Sequence, residues 1–229
     1  MGDLLAEKVG DIAARSPHAT RVLERAGIDY CCGGKRTLGE ACALAKVAPT
    51  ELLAALADAP AVPEGENFVE MPLAALIDHL LETHHVFTRA ALARLDGLSA
   101  KVARVHGERH PEVVEIRRAF EVLRDDLTAH LFKEENILFP YVRGKLEGRT
   151  GMMLDSAAGP IHVMDHEHEE TGEILRELRR RSDGYTPPVD ACGSYQALYA
   201  GLAELEADLH QHIHLESNIL FPRTMALEE

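Results

Sequence analysis

One pattern of eleven residues occurs twice in the chain, at 130–140 (HLFKEENILFP) and at 212–222 (HIHLESNILFP). Both copies read HxxxExNILFP, and each ends a longer stripe whose members recur at alternating steps of four and three residues. That spacing is typical of the inward-facing side of a helix in a bundle. Histidine and glutamate therefore occupy positions where such a helix normally carries leucine. The two stripes are Ile116, Phe120, Leu123, Leu127, His130, Glu134, Ile137 and Leu198, Leu202, Leu205, Leu209, His212, Glu216, Ile219.

A second pair of segments matches at a spacing of 83 residues and places one histidine in each stripe. This match favours His85 over its neighbour His84, which falls on Glu167. His79 matches His162, but it lies well over half a turn away from His85 in angle, so the two are not expected to face one centre. The matched stripes are Leu81, His85, Thr88, Leu92, Leu95 and Met164, His168, Thr171, Leu175, Leu178.

Four helices are thus predicted to bring four histidines and two glutamates into one core. A buried carboxylate costs several kcal/mol unless it is paired or binds a metal. The set His85, His130, Glu134, His168, His212 and Glu216 matches two metal ions, each held by two imidazoles, with the glutamates bridging. Nitrogen and oxygen ligands suit iron and, less well, manganese, whereas zinc normally binds as a single ion with four ligands.

The alternative is that these are ordinary core histidines, each hydrogen-bonded to a glutamate. That interpretation suits a single pair better than two pairs in register with two further matched histidines, because several unpaired buried polar groups would be too costly. The nine remaining histidines are interpreted as ordinary residues: His18, His79, His84, His106, His110, His162, His166, His210 and His214.

Helix signals dominate the chain, and no segment shows sustained alternation of apolar and polar residues, so the fold class is predicted to be all-α. Helices are expected after Ser16-Pro17, after the capping box at Thr37 to Glu40, and near Thr50. The segment 59–66 (APAVPEGE) reads as a linker. We expect a small helical domain at 1–58, a linker at 59–70 and an up-down four-helix bundle at 71–225. The bundle helices are predicted near 72–95, 111–142, 159–181 and 195–223.

Composition limits the partners. The net charge of −14 argues against nucleic acid. No apolar run approaches the roughly 20 residues of a membrane helix, and the first residues do not resemble a secretory signal, so we expect a soluble cytoplasmic protein. Cysteines in that compartment are mostly reduced. The four cysteines of the chain are therefore interpreted as free thiols or redox groups rather than as disulfides. The sequence leaves a homodimer open.

The stretch 29–35 (DYCCGGK) places two adjacent thiols before two glycines. Lys35, Arg36 and the helix expected at Thr37 would favour the thiolate form of Cys31 and Cys32. The functional hypothesis is an exposed dithiol that transfers electrons, takes up iron or a nitrosyl group, or docks on a damaged cluster. The alternative is that one of the two cysteines packs inward as a small hydrophobe.

The chain resembles the repair-of-iron-centres proteins, the YtfE/ScdA type of di-iron hemerythrin-like protein, over nearly its whole length. The resemblance rests on DYCCGG in the small domain, HxxxE in two bundle helices and one histidine in each of the others. It implies a hemerythrin-like bundle with two non-haem irons, carboxylate- and oxo-bridged. By motif, the ligands would be His85 in DHLLETHH, His130 and Glu134 in HLFKEE, His168 in DHEHEE, and His212 and Glu216 in HIHLES.

The same resemblance implies a role in restoring iron–sulfur clusters damaged by nitric oxide or peroxide, with damaged cluster proteins as partners. The leading hypothesis is a repair protein that supplies iron, electrons or both, while the Cys31–Cys32 loop contacts the target. A second hypothesis is a sensor or carrier of dioxygen or nitric oxide, which has no need of adjacent cysteines. A third is a reductase of nitric oxide or peroxide, which would make the protein an enzyme and would require an electron donor.

Overall fold

The computed structural model describes residues 4–58, 67–151 and 154–228. Backbone contacts divide the chain into two units, Met1–Leu76 with His210–Glu229, and Ile77–Leu209. Across the described ranges the regular structure is helical, apart from an isolated antiparallel bridge between Lys8 and Thr37. The all-α prediction is confirmed. The predicted linker at 59–66 lies outside the described residues.

The helices follow one another in a simple order. A 3₁₀ turn at Leu4–Ala6 precedes α1 (Val9–Ala14), α2 (Pro17–Arg25), α3 (Leu38–Ala45) and α4 (Pro49–Ala57). Next come α5 (Leu73–His79), a π turn (Leu80–His85), α6 (Val86–His106), α7 (Glu112–Lys133), a π turn (Glu134–Leu138) and α8 (Phe139–Leu146). The chain continues with α9 (Ala158–Arg181), α10 (Gly193–Leu215), a π turn (Glu216–Leu220) and α11 (Phe221–Ala226).

The N-terminal helices begin where the sequence places their caps. The Ser16 hydroxyl accepts a hydrogen bond from the His18 amide at 3.1 Å, which caps α2. Thr37 and Glu40 form a reciprocal capping box at the start of α3. These two starts are confirmed, and α4 lies where the third helix is expected. The sequence analysis missed α1, which has no side-chain cap and contains Gly10, a poor helix former.

The unit that contains the N-terminal helices has its own apolar core. Val9 and Ile12 of α1 are buried together with Leu23 of α2, Leu38 of α3 and Leu52 of α4. The apolar face of α1 thus stabilises a helix whose local sequence signals are weak, as tertiary packing often does for short helices.

The unit Ile77–Leu209 is built on the four long helices α6, α7, α9 and α10, whose buried residues form one core. All eight apolar residues that precede the histidines in the two predicted stripes, at 116–127 and 198–209, are buried. A short connection at 107–111 joins α6 to α7, and α7 packs against both α6 and α9. The four-helix bundle is confirmed.

The first long helix continues to His106 instead of ending near Leu95. Its inward stripe runs on through Ser99 and Val102, both of which are buried. The Ser99 hydroxyl donates to the Leu95 carbonyl at 2.7 Å, so a polar residue can occupy the stripe without an unsatisfied group. Among the described residues, no helix has the length and apolar character needed to span a membrane.

Candidate metal centre

Three π turns interrupt the helices at the predicted ligands. His85 ends the first of them, whereas Glu134 and Glu216 begin the other two. Each π turn adds one residue to the helical turn, which shifts the direction of the side chains that follow it. Pro140 and Pro222 are the second residues of α8 and α11, the helices that follow the two later turns. A proline has no amide hydrogen to donate to the carbonyl four residues earlier, and its ring clashes with that carbonyl. A wider turn before the proline accommodates the missing hydrogen bond and the ring.

In the unit Ile77–Leu209, three helices bring His85, His130, Glu134 and His168 together. One Glu134 carboxylate oxygen lies 3.0 Å from His130 Nε2, and the other lies 3.4 Å from His85 Nε2. Glu134 and His85 are fully buried, and the other two histidines are at most 5% exposed. The carboxylate therefore presents each of its oxygens to a different imidazole, as a carboxylate that bridges two ions must do.

His130 and His168 place their Nε2 atoms 3.1 Å apart. Two imidazole nitrogens at that distance either share a proton or act as ligands of one ion, because each offers a lone pair when unprotonated. The separation fits two nitrogen ligands that are each about 2.1 Å from the same metal. The ligand atoms of His130, Glu134 and His168 all lie within 4.8 Å of one another.

Carboxylates hold the outer nitrogens of two of these histidines. Glu135 accepts from His85 Nδ1 at 2.7 Å and from Arg89 through two bonds of 2.8 Å. The Arg89 guanidinium and then His85 lower the pKa of the Glu135 carboxyl below its ordinary value. A histidine that donates through Nδ1 keeps the Nε2 lone pair for a metal.

Glu167 plays the same part for His130. Its Oε2 lies 2.9 Å from His130 Nδ1, and its other oxygen pairs with Lys133. The hydrogen bond from His130, reinforced by Lys133, lowers the pKa of Glu167 to about 2. The sequence analysis mentioned Glu167 only as the position equivalent to His84, and it assigned no role to Glu135.

His84 is buried but belongs to a different group. Its Nδ1 lies 3.0 Å from an Asp208 carboxylate oxygen, and its ring packs edge-on against His79. Of the two adjacent histidines, His85 is therefore the one whose Nε2 approaches Glu134. That His85 rather than His84 is a metal ligand stays a prediction.

In the other unit, His212 and Glu216 form the second HxxxE pair. His212 Nε2 lies 3.3 Å from Glu216 Oε1, and both side chains are at most 2% exposed. His210 and His214 both have rings near that of Tyr30, at centroid distances of 6.4 and 5.4 Å. Burial lowers the pKa of His214 to about 4, so this imidazole is neutral at physiological pH.

The cysteine loop lies in the same unit as His212 and Glu216. Cys31 is buried, whereas Cys32 is half-buried. The pKa of the Cys31 thiol lies well above its ordinary value, because the Cys32 thiol, burial and the Asp29 carboxylate all disfavour its thiolate. The expectation of an exposed, thiolate-favouring pair is therefore wrong for Cys31. The sequence analysis did not consider the Asp29 carboxylate, whose Oδ1 lies 3.3 Å from this thiol.

Asn218 joins this loop to the end of the repeat. Its side-chain amide donates to the carbonyls of Cys31 at 3.2 Å and Tyr30 at 3.4 Å. A Cβ atom on Gly34 would lie 2.5 Å from Asn218 Oδ1, so glycine is required where the asparagine enters. Sequence reasoning missed this contact. The one available signal is that asparagine recurs at the same place in both copies of HxxxExNILFP.

Two family models match different parts of the chain. The family model for the hemerythrin HHE cation binding domain matches residues 76–224. A second model, ScdA_N, described as a domain of unknown function, matches residues 5–60. The chain belongs to the hemerythrin family.

Relatives within this family match the chain from end to end. The iron-sulfur cluster repair protein YtfE of Musicola paradisiaca (strain Ech703) is 38% identical over 96% of this chain and 96% of its own length. The protein of the same name from Escherichia coli O157:H7 is 36% identical over 97% of this chain and 98% of its own length. The chain is therefore a YtfE-type member of the hemerythrin family.

Proposed function

We propose that His85, His130, Glu134, His168, His212 and Glu216 hold two iron ions, with the two glutamates bridging them. The best support within one unit is Glu134, whose oxygens approach two different imidazoles at 3.0 and 3.4 Å. A fully buried carboxylate in contact with imidazole nitrogens is the environment that a bound cation stabilises.

His212 and Glu216 join this set through the geometry of their helix. Leu202, Leu205 and Leu209 form the inward stripe of α10, and His212 and Glu216 continue that stripe at the same steps of three and four residues. Residues at those steps lie on one helix face. The second HxxxE pair is therefore proposed to complete the ligand set that the first pair begins.

The donor chemistry favours iron. Four imidazoles and two carboxylates provide only nitrogen and oxygen ligands, and a hemerythrin-type cation binding domain covers this part of the chain. When bound, such an iron pair supplies transferable ions and electrons. The protein's own contribution is to hold Nε2 of His85 and His130 inward through Glu135 and Glu167.

We infer that the protein repairs iron–sulfur clusters damaged by nitrosative or oxidative stress, by supplying iron, electrons or both. One observation carries this proposal: the chain aligns from end to end, at 36 to 38% identity, with proteins named for cluster repair. Damaged cluster proteins are accordingly the proposed partners. The half-buried Cys32 and its neighbour Cys31 are proposed to contact the target.

The domain organisation that fits this function is the one the sequence indicates: a small domain at 1–58, a linker at 59–70 and the bundle at 71–225. The two family models, at 5–60 and 76–224, support these limits. In the structure, segment His210–Glu229 groups with the N-terminal residues. The contacts of Asn218 with the cysteine loop account for part of that grouping.

A repair assay tests the proposal. An iron–sulfur hydratase inactivated with nitric oxide is incubated anaerobically with the iron-loaded protein, and recovery of its activity is measured. We expect recovery with the wild type, and loss of recovery at unchanged iron content in Cys31→Ala/Cys32→Ala. No recovery with the wild type would refute the repair function, whereas undiminished recovery with the variant would refute only the role of the cysteines.

A second measurement separates repair from the other two hypotheses. Catalytic turnover of nitric oxide or peroxide with an added reductant and no target protein would identify a reductase. Reversible binding of nitric oxide or dioxygen without turnover or repair would identify a sensor or carrier. We expect repair of the target to exceed both activities.

A further inference from the structure

Three side chains of the cysteine loop offer metal-ligating atoms to one point. A carboxylate oxygen of Asp29 and the Sγ atoms of Cys31 and Cys32 all lie within 4.8 Å of one another. Cys31 Sγ is 3.3 Å from Asp29 Oδ1 and 3.9 Å from Cys32 Sγ. Cys31 is buried, while the other two side chains are half-buried and reachable from solvent.

Hydrogen bonds fix the backbone around these three ligands. Asp29 Oδ1 accepts from the amides of Cys31 at 3.2 Å and Gly33 at 3.0 Å. The Gly34 amide donates to the Cys31 carbonyl at 3.2 Å, and that carbonyl also accepts from Asn218. A Cβ on Gly33 would lie 2.7 Å from the Asp29 carbonyl oxygen, so this tight turn needs glycine. The ligand atoms are therefore held together before any ion arrives.

The charges of the cluster complement a cation. A thiolate at Cys31 would place its negative charge 3.3 Å from a carboxylate oxygen of Asp29, and this repulsion disfavours the thiolate when no cation is bound. A divalent ion reverses the effect, because a coordinated thiol gives up its proton outright. Two sulfur ligands select ions such as Fe²⁺, Co²⁺ and Zn²⁺ over Mg²⁺ and Ca²⁺.

We propose that Asp29, Cys31 and Cys32 form a second metal site, which binds one thiophilic divalent ion through one carboxylate oxygen and two thiolates. Binding releases two thiol protons and involves no change of oxidation state. Three protein ligands leave a position of a four-coordinate ion open, and an open position is what allows an ion to be passed on. The proposed function suggests that the natural ion is Fe²⁺ destined for a damaged cluster. The proposal of a metal site does not depend on that function.

Cobalt(II) is a suitable probe because a thiolate bound to it gives a near-ultraviolet charge-transfer band that histidine and carboxylate ligands do not give. Co²⁺ is titrated anaerobically into the full chain whose bundle already holds iron. We expect one equivalent to produce the band with release of two protons. Cys31→Ser and Cys32→Ser should each abolish the two-thiolate band, and Asp29→Asn should weaken Co²⁺ binding by about tenfold or more.

Asp29→Asn keeps an amide oxygen that can accept the two backbone hydrogen bonds, so its effect reports the lost charge rather than a collapsed loop. Cys42→Ser and Cys192→Ser are the matched controls and should leave the band unchanged. A missing band in the wild type, a band that survives in Cys31→Ser/Cys32→Ser, or wild-type affinity in Asp29→Asn would overturn the proposal. Iron content and cluster repair are measured on the same samples, so a cobalt band without repair would refute the proposed function and leave the second site standing.

Discussion

The two copies of HxxxExNILFP share their local structure. In each copy the histidine Nε2 approaches the glutamate four residues later, at 3.0 Å in one and 3.3 Å in the other. In each copy a π turn begins at that glutamate, and a proline follows in the next helix. The same residues at the same spacing thus produce the same short-range geometry twice.

Three positions illustrate how the surroundings of the two copies differ. Asn136 donates to the Phe132 carbonyl of its own helix, whereas the equivalent Asn218 binds the cysteine loop. Glu135 holds His85, whereas its equivalent is Ser217. Phe132 is exposed, whereas its equivalent His214 is buried. An identical residue in an identical turn can therefore serve different purposes, because its partners come from distant parts of the chain.

The largest effect is expected from removing the glutamate that the two copies share. Glu134→Ala and Glu216→Ala should each lose at least one of the two proposed irons and the magnetic coupling between them, because each glutamate is proposed to bridge both ions. Iron analysis and Mössbauer spectroscopy on anaerobically purified protein measure this. Glu82→Ala, at an exposed position, is the control. A coupled pair at full iron content in either variant would contradict the shared role.

A smaller effect is expected where the first copy is altered to match the second. Glu135→Ser removes the carboxylate that accepts from His85 Nδ1, and outer partners of this kind typically contribute 10- to 100-fold in metal affinity. We expect iron affinity to fall by about that factor in a competition with a chelator. Ser217→Ala, at the equivalent position, should change it little. Equal affinities in Glu135→Ser and wild type would show that Glu135 does not position His85.

Replacing each of the two equivalent asparagines should change stability to different extents, and the difference is expected to be moderate. Asn218→Ala should destabilise the apo-protein by about 1–3 kcal/mol, because it removes the side-chain donor to the Tyr30 carbonyl and one of the two donors to the Cys31 carbonyl. Asn136→Ala should change stability by no more than about 0.5 kcal/mol, because this residue is exposed and its amide donates to the Phe132 carbonyl of its own helix. Urea unfolding and hydrogen exchange of the amides at 29–36 report the difference. Similar results for both variants would contradict the proposed link between Asn218 and the loop.

The smallest effect is expected at Phe132, which is 61% exposed. Phe132→His copies the second segment into the first and should change the free energy of unfolding by no more than about 0.5 kcal/mol. Phe120→His, at a fully buried position in the same helix, should cost about 3 kcal/mol or more. Thermal or urea unfolding of both variants tests the contrast, and a large loss in Phe132→His would show that this ring is covered in solution.

Local sequence was sufficient for much of the fold. The caps at Ser16 and Thr37 predicted two helix starts, and the steps of three and four residues predicted which side of each long helix is buried. The helix extension to His106 was missed because Ser99 interrupts the apolar stripe, although its hydroxyl is satisfied within the helix. Helix α1 was missed because its stability comes from packing and not from a cap.

The sequence by itself determined the candidate ligands, because a helix repeats every 3.6 residues and any polar residue on its buried stripe is visible in the spacing. Only the tertiary structure decided which carboxylates hold His85 and His130, that Cys31 is buried beside Asp29, and that Asn218 reaches a carbonyl 187 positions away in the chain. Contacts between segments so far apart leave no periodic trace, since they depend on how helices pack and on which polar groups then need a partner.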